Sequence, residues 1–174
     1  MRLLGLAVAA AGLAACPGAS SAEVRSSSPI HFDIESRVTV AAAPAEAFAA
    51  LGRIAAWWDP EHTYSGDSAN LRLDLHAGGC FCEAIPGGGS IEHMRIIYAR
   101  PGQMLRLQGG LGPLQEEAVA GTLTWTLRPV DGGTEIVSVY LVSGHVRGDV
   151  SAYAAPVDAV MREQLSRLRA HLAR

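Results

Sequence analysis

The stretch Gly121-Thr122-Leu123-Thr124-Trp125-Thr126-Leu127-Arg128-Pro129-Val130-Asp131-Gly132-Gly133-Thr134-Glu135-Ile136-Val137-Ser138-Val139-Tyr140-Leu141-Val142 decides the fold class of this chain. Leu123, Trp125 and Leu127 alternate with Thr122, Thr124, Thr126 and Arg128, so one side of the segment is apolar and the other polar. That period of two marks a strand with one buried and one wet face. Asp131-Gly132-Gly133 supplies the residues a tight hairpin turn demands and returns the chain into a second strand over Ile136–Val142. Paired strands of this kind leave an apolar face that another element has to cover.

The cover lies downstream. Val157, Val160, Met161, Leu165, Leu168 and Leu172 recur at helical spacing, with Arg162, Arg167 and Arg169 predicted on the solvent side. Upstream, further short strands precede the hairpin. Leu71, Leu73 and Leu75 alternate before the turn His76-Ala77-Gly78-Gly79, and Cys80–Ile85 runs into Pro86-Gly87-Gly88-Gly89. Ile91–Tyr98 and Met104–Gln108 flank Arg100-Pro101-Gly102, and Gly109-Gly110-Leu111-Gly112-Pro113 opens a longer loop. Phe32, Ile34, Val38 and Val40 form the first half-buried strand. After it, Pro44 takes the first position of a helix with Glu46 in its first turn. Phe48, Leu51, Ile54, Trp57 and Trp58 continue at helical spacing with a break near Gly52, which predicts two short helices ending before Asp59-Pro60. The expected architecture is therefore α+β: a curved antiparallel sheet of about seven strands wrapped on a long C-terminal helix, with two short helices between the first and second strands.

With 174 residues, 49% of them apolar and 18% charged, the chain fits one globular domain. Its net charge is -3, and every basic residue is an arginine, scattered along the chain. Nucleic-acid binders show a basic stripe that displaces counterions from phosphate, and none is visible. A polybasic patch for a membrane surface is equally lacking. Met1-Arg2 followed by the apolar Leu3–Ala15 stretch reads as a signal peptide over 1–22, cut after Ser20-Ser21-Ala22. The apolar stretch is shorter than the roughly 20 residues an integral membrane span needs. A second reading takes Leu13-Ala14-Ala15-Cys16 as a lipobox, with a lipid anchor at Cys16. Either way the expected location is periplasmic or secreted. Residues 23–29 form a polar, Ser-rich lead-in, and 30–174 the folded domain.

In this order the segments resemble the START-like SRPBCC superfamily, and within it the chaperone-ATPase-activator-homologue and polyketide-cyclase-like group. Val38-Thr39-Val40 followed by Ala43-Pro44-Ala45-Glu46-Ala47-Phe48 looks like the first strand and helix start of that group. Ile54-Ala55-Ala56-Trp57-Trp58-Asp59-Pro60 is similar to its helix ending in a Trp pair, and Leu75-His76-Ala77-Gly78-Gly79 to its strand and paired glycines. Ser90–Pro101, Gly121–Leu127 with Gly132-Gly133-Thr134, and Gln164–Leu172 match its later hairpins and final helix. The resemblance implies a helix-grip fold with a cavity for lipid-like or polycyclic ligands, and no catalytic motif common to the whole superfamily. It implies no cofactor. An exported chain would not meet a cytosolic chaperone or its ATP, so a cytosolic co-chaperone role does not suit it.

Six residues are candidates for ligand binding: Trp57, Trp58, His62, Tyr64, His93 and Arg95. Adjacent helical positions diverge, so one of Trp57 and Trp58 is expected in the core and the other at the cavity entrance. His62 and Tyr64 sit in a polar loop, where each is able to hydrogen-bond a ligand carbonyl, or His62 to act as a base. Alternation places His93 and Arg95 on one strand face with Ile91 and Ile97, against Met94, Ile96 and Tyr98 on the other. If the His93 face looks inward, it brings a cation and a titratable group into an apolar pocket, suited to anchoring a carboxylate. Cys80 and Cys82 point to one side of their strand about 6.6 Å apart, and free buried thiols are expected there rather than a bridge or a metal site. No nucleophile elbow or phosphate loop is present. Three functions follow: a carrier of a hydrophobic small molecule or lipid, a cyclase-like enzyme polarising a carbonyl, or an envelope stress protein gripping a client's apolar surface.

Overall fold

The structure is a computed structural model that describes residues 21–174. Residues 1–20 of the expected leader, with Cys16, lie outside them. In chain order the main elements are β1 (Ser21–Ser28), β2 (His31–Val40), α1 (Pro44–Gly52), β3 (Leu71–Leu73), β4 (Cys80–Ile85), β5 (Gly89–Arg100), β6 (Met104–Gln108), β7 (Ala118–Val130), β8 (Gly133–His145) and α2 (Ala154–Leu172). The strands form one antiparallel sheet in the order β1-β2-β8-β7-β6-β5-β4-β3. The connection from β2 to β3 crosses from one side of the sheet to the other, and α1 occupies it. From β3 the chain then meanders back until β8 pairs with β2.

The predicted α+β helix-grip architecture is what the chain adopts, with eight strands rather than about seven. The added one is β1, built from the Ser-rich lead-in. It has little apolar alternation, and backbone pairing to the free edge of β2 holds it instead. Arg25 reinforces that pairing across the strands, 3.2 Å from Glu35 and 3.9 Å from Asp33. The first predicted short helix is α1, with Pro44 at its start. The second is only a single 3-10 turn, Ile54–Ala56. No helix among the described residues is long and apolar enough to cross a membrane.

The inner sheet face carries Phe32, Ile34, Phe81, Met94, Ile96, Leu105, Leu107, Leu123, Trp125 and Tyr140, all nearly fully buried. Met161, Leu165 and Leu168 of α2 press onto it. Two polar residues of α2, buried Gln164 and half-exposed Arg167, clamp the turn after Ile54–Ala56. The Gln164 Oε1 atom accepts from the Asp59 amide at 2.8 Å, and Arg167 Nε donates to the Trp57 carbonyl at 3.0 Å. Arg167 thus holds the Trp turn while its side chain stays partly in solvent. A second lock sits at the far side. Buried Tyr140 donates to the Gly109 carbonyl at 3.2 Å and accepts from the Leu111 amide at 3.1 Å. It fixes the loop that opens at Gly109, and burial pushes its phenol up to about 12.

That lock needs a residue without a side chain beside it. A Cβ on Gly121 would collide with the Gly109 carbonyl oxygen and lie 2.8 Å from Tyr140 Oη. Gly121→Ala is expected to destabilise the protein by about 1–3 kcal/mol, the range of core overpacking. Urea denaturation checks this, and an unchanged midpoint would show that the loop yields freely.

Candidate functional site

Strand β4 places Phe81 and Glu83 on the inner face, both almost fully buried. Facing them, β5 departs from regular alternation. Met94 pairs with Phe81 and Glu92 pairs with Cys82, so His93 is the extra residue of a β-bulge. Because of it, His93 and Met94 are both buried in succession. His93 Nε2 lies 2.9 Å from Glu83 Oε2. Glu83 also accepts from the backbone amides of Tyr64, at 3.1 Å, and Ser65. The imidazole lies between two rings, 4.8 Å from the centre of Phe81 and 5.9 Å from that of Tyr64.

Around this pair the sheet and α2 stand apart, leaving a cavity of about 460 Å³. Trp58, Phe81, His93 and Tyr64 line one side, and Tyr153, Pro156, Val157, Val160 and Met161 of the C-terminal segment the other. Leu111, Gly112, Pro113 and Glu116 close it from the loop after β6, while Glu61, His62 and Thr63 form its rim. The Tyr64 hydroxyl donates to the Gly112 carbonyl at 3.1 Å and ties the two loops together.

Of the six candidate residues, Trp58, His62, Tyr64 and His93 come together at this cavity. Both tryptophans are buried, and they divide between the core and the cavity wall, with neither at an open entrance. Trp57 packs 6.4 Å from Trp125 in the core and donates to the Ala50 carbonyl, while Trp58 stands against Phe81 at the cavity wall. Arg95 is not part of the site. The bulge shifts the alternation by one residue, so Arg95 emerges on the outer face, paired with Glu92. No arginine therefore accompanies His93 into the pocket. The cysteines also differ from expectation: Cys80 and Cys82 lie on the outer side and are joined as a disulfide. Their Cα atoms are 5.4 Å apart, less than the full two-residue span of a strand and within bridging range.

Glu83 was not singled out from the sequence. Its signal was parity, since it shares a strand face with the apolar Phe81 two positions earlier. Burial pushes its carboxyl up, but the hydrogen bonds from Ser65, Tyr64 and His93 outweigh this and hold it below the ordinary value. It is an anion inside the protein. Burial pushes His93 down, and the neighbouring carboxylate only partly restores it. Nε2 therefore carries the proton shared with Glu83, and Nδ1 is left as an acceptor. Among the described residues, metal-ligating atoms converge in two places, and in each at least one ligand is already engaged. Asp59, His62 and Glu163 bring ligand atoms within 4.8 Å of one another, but Asp59 accepts from the Glu61 amide and faces Arg167 at 3.6 Å. In the group of Cys80, Cys82 and Glu92 the sulfurs are bonded to each other.

A curved sheet gripping a C-terminal helix, with an aromatic cavity between them, defines a START-like helix-grip protein. The chain belongs to the polyketide cyclase/dehydrase and lipid transport family, whose profile matches residues 31–173. No curated protein matches it in sequence. Solved structures share its fold at low identity. The Mll3558 protein of Rhizobium loti superimposes with a TM-score of 0.61 at 21% identity, over 82% of this chain and 98% of that one. A putative uncharacterized protein of Rhizobium leguminosarum gives 0.59 at 19%, over 90% and 99%. The di-domain ARO/CYC protein StfQ of the steffimycin biosynthetic pathway gives 0.56 at 15%, over 83% of this chain and 51% of that one.

The buried pair makes the fold acid-sensitive in a definite direction. A group whose folded pKa is depressed stabilises the fold above its unfolded pKa and loses that contribution as pH falls through the folded one. For His93 the loss begins below about 6.5, and for Glu83 below about 4.5. Denaturant titrations should show stability falling as pH drops from 7 to 5, with a shallower fall in His93→Gln. An equal slope in the variant would mean that His93 takes up its proton freely. At pH 7 Glu83→Gln should cost about 1–3 kcal/mol, since its amide leaves a buried donor unmatched.

Proposed function

We propose that this protein is an exported binding protein or carrier that holds an apolar small molecule between its sheet and α2. The single observation behind this reading is the cavity itself. At about 460 Å³ it falls in the size range of small-molecule sites. Its walls are chiefly Trp58, Tyr64, Phe81, Leu111, Tyr153, Val157, Val160 and Met161, with His93, backed by buried Glu83, as a polar group on the sheet side. Apolar surface of this kind gains from losing water to a greasy guest, and one fixed polar group orients it. A family described by both cyclisation and lipid transport accommodates the reading.

Export rests on the sequence alone: the positive start, the apolar Leu3–Ala15 stretch and the small residues up to Ala22. Periplasmic release follows if the cut falls after Ala22, and a membrane tether if Cys16 is lipidated. A cyclase-like activity is the second reading, favoured by one observation. A histidine held by a buried carboxylate, with its other nitrogen left open, is built to accept a proton from a bound substrate.

Filling the cavity tests the binding reading. Val160 lines it and is only partly buried, so Val160→Trp adds bulk into the hollow. Nile red, a neutral apolar dye, is expected to bind the unmodified protein with enhanced fluorescence and to bind Val160→Trp at least about tenfold more weakly. Circular dichroism confirms that the variant is folded. Equal affinity in a folded variant would rule the cavity out as the binding place.

A further inference from the structure

The hydrogen-bonding inventory of the cavity is one-sided. The groups that line it carry few unused donors. The Trp58 indole donates to the His62 carbonyl at 3.0 Å, the Thr63 hydroxyl to the Pro60 carbonyl at 2.7 Å, and the Tyr64 hydroxyl to the Gly112 carbonyl at 3.1 Å. His93 spends its Nε2–H on Glu83. The exceptions are the Tyr153 hydroxyl and the ring of His62, which is exposed at the rim. What the interior does offer is an acceptor. Glu83 takes donors from the Tyr64 and Ser65 amides and so demands a third from His93. The tautomer is thereby set, and Nδ1 of His93 keeps its lone pair with no partner among the described residues.

Charge points the same way. Glu61 and Glu116 line the cavity, the Glu83 carboxylate stands directly behind His93, and neither arginine nor lysine is among the lining residues. Arg147 reaches Glu116 at 3.8 Å from outside, with both side chains exposed. Arg95, the cation the sequence placed beside His93, faces the other side of the sheet. A carboxylate entering here would find no interior donor beyond Tyr153 and would approach a buried anion.

We propose that the cavity takes its apolar guest by a hydrogen-bond donor, a hydroxyl or an ammonium group offered to Nδ1 of His93, and discriminates against guests that present a carboxylate. The inference rests on the binding reading above and adds the chemistry of the guest. It is the opposite of the carboxylate anchor that an inward His93–Arg95 face would have supplied. Hydroxyl and ammonium guests share the donor that Nδ1 requires. An ammonium gains further from the faces of Trp58, Phe81 and Tyr64, which attract cations.

A matched series tests it on the unmodified protein at pH 7.5, by titration calorimetry: naphthalene, 2-naphthol, 2-naphthylmethylammonium and 2-naphthoate. Naphthol or the ammonium compound, or both, should bind at least about tenfold more tightly than naphthoate, the scale of one unfavourable charge contact. Naphthol ahead of the ammonium assigns a neutral hydroxyl guest, and the reverse order a cationic one. If naphthalene binds but naphthoate equals or exceeds both donors, the selectivity is overturned while the binding reading stands. If no member binds, both fall together. His93→Phe should erase the advantage of naphthol over naphthalene, and an advantage that survives in the folded variant would overturn the role of Nδ1. The unmodified series decides the selectivity even if that variant does not fold.

Discussion

A carboxylate with no exposure to water has to be satisfied by donors or give up its charge. Glu83 is satisfied by three, and the architecture of the site follows from where those donors come from. Two are consecutive amides of the loop after the Trp pair, at Tyr64 and Ser65. The third is His93, which reaches inward only because β5 carries one residue more than β4 at that point. Glu83 therefore ties the loop, which lies outside the sheet ladder, to the β4–β5 pair and its bulge. Removing its charge touches all of them at once, as expected of a network in low dielectric.

The helix α2 plays two parts that conflict locally. As a cover it needs apolar residues, and Met161, Leu165 and Leu168 provide them. As a clamp it needs polar ones, and Gln164 and Arg167 grip the turn that presents Trp58. The buried Asp158 shows the cost of carrying polar groups on a covering face. One of its oxygens has no partner among the described residues, and burial pushes its carboxyl up. Toward its N-terminal end the helix stands off from the sheet, and Pro156, Val157 and Val160 face the cavity instead of filling it. The same helix thus both closes the core and leaves room for a guest.

Much of this was legible in the residues. Strict alternation at Leu123, Trp125 and Leu127, the Asp131-Gly132-Gly133 turn and the helical stripe from Val157 to Leu172 correspond to β7, β8 and α2. The Trp pair does divide between core and cavity, although both residues lie just past the 3-10 turn Ile54–Ala56 and not in a helix. The Ser-rich lead-in gives no strand signal because serines carry no period, whereas β1 is held by backbone pairing that any residue supplies. At His93 and Arg95 the period misled for a different reason. Alternation assumes an unbroken ladder, and one inserted residue exchanges inside and outside for everything beyond it.

By itself the sequence determined the class of fold, the order of its elements and the family, since these rest on patterns that are local and repeated. It also contained Trp58, His62, Tyr64 and His93 as separate candidates. Only the tertiary structure decided that His93 enters the cavity without Arg95, that Glu83 stands behind it, and that the interior is an acceptor rather than a cationic anchor. Those outcomes depend on strand register and on which amides reach a buried oxygen. Such properties belong to pairs of segments distant in the chain, and no periodicity within one segment encodes them.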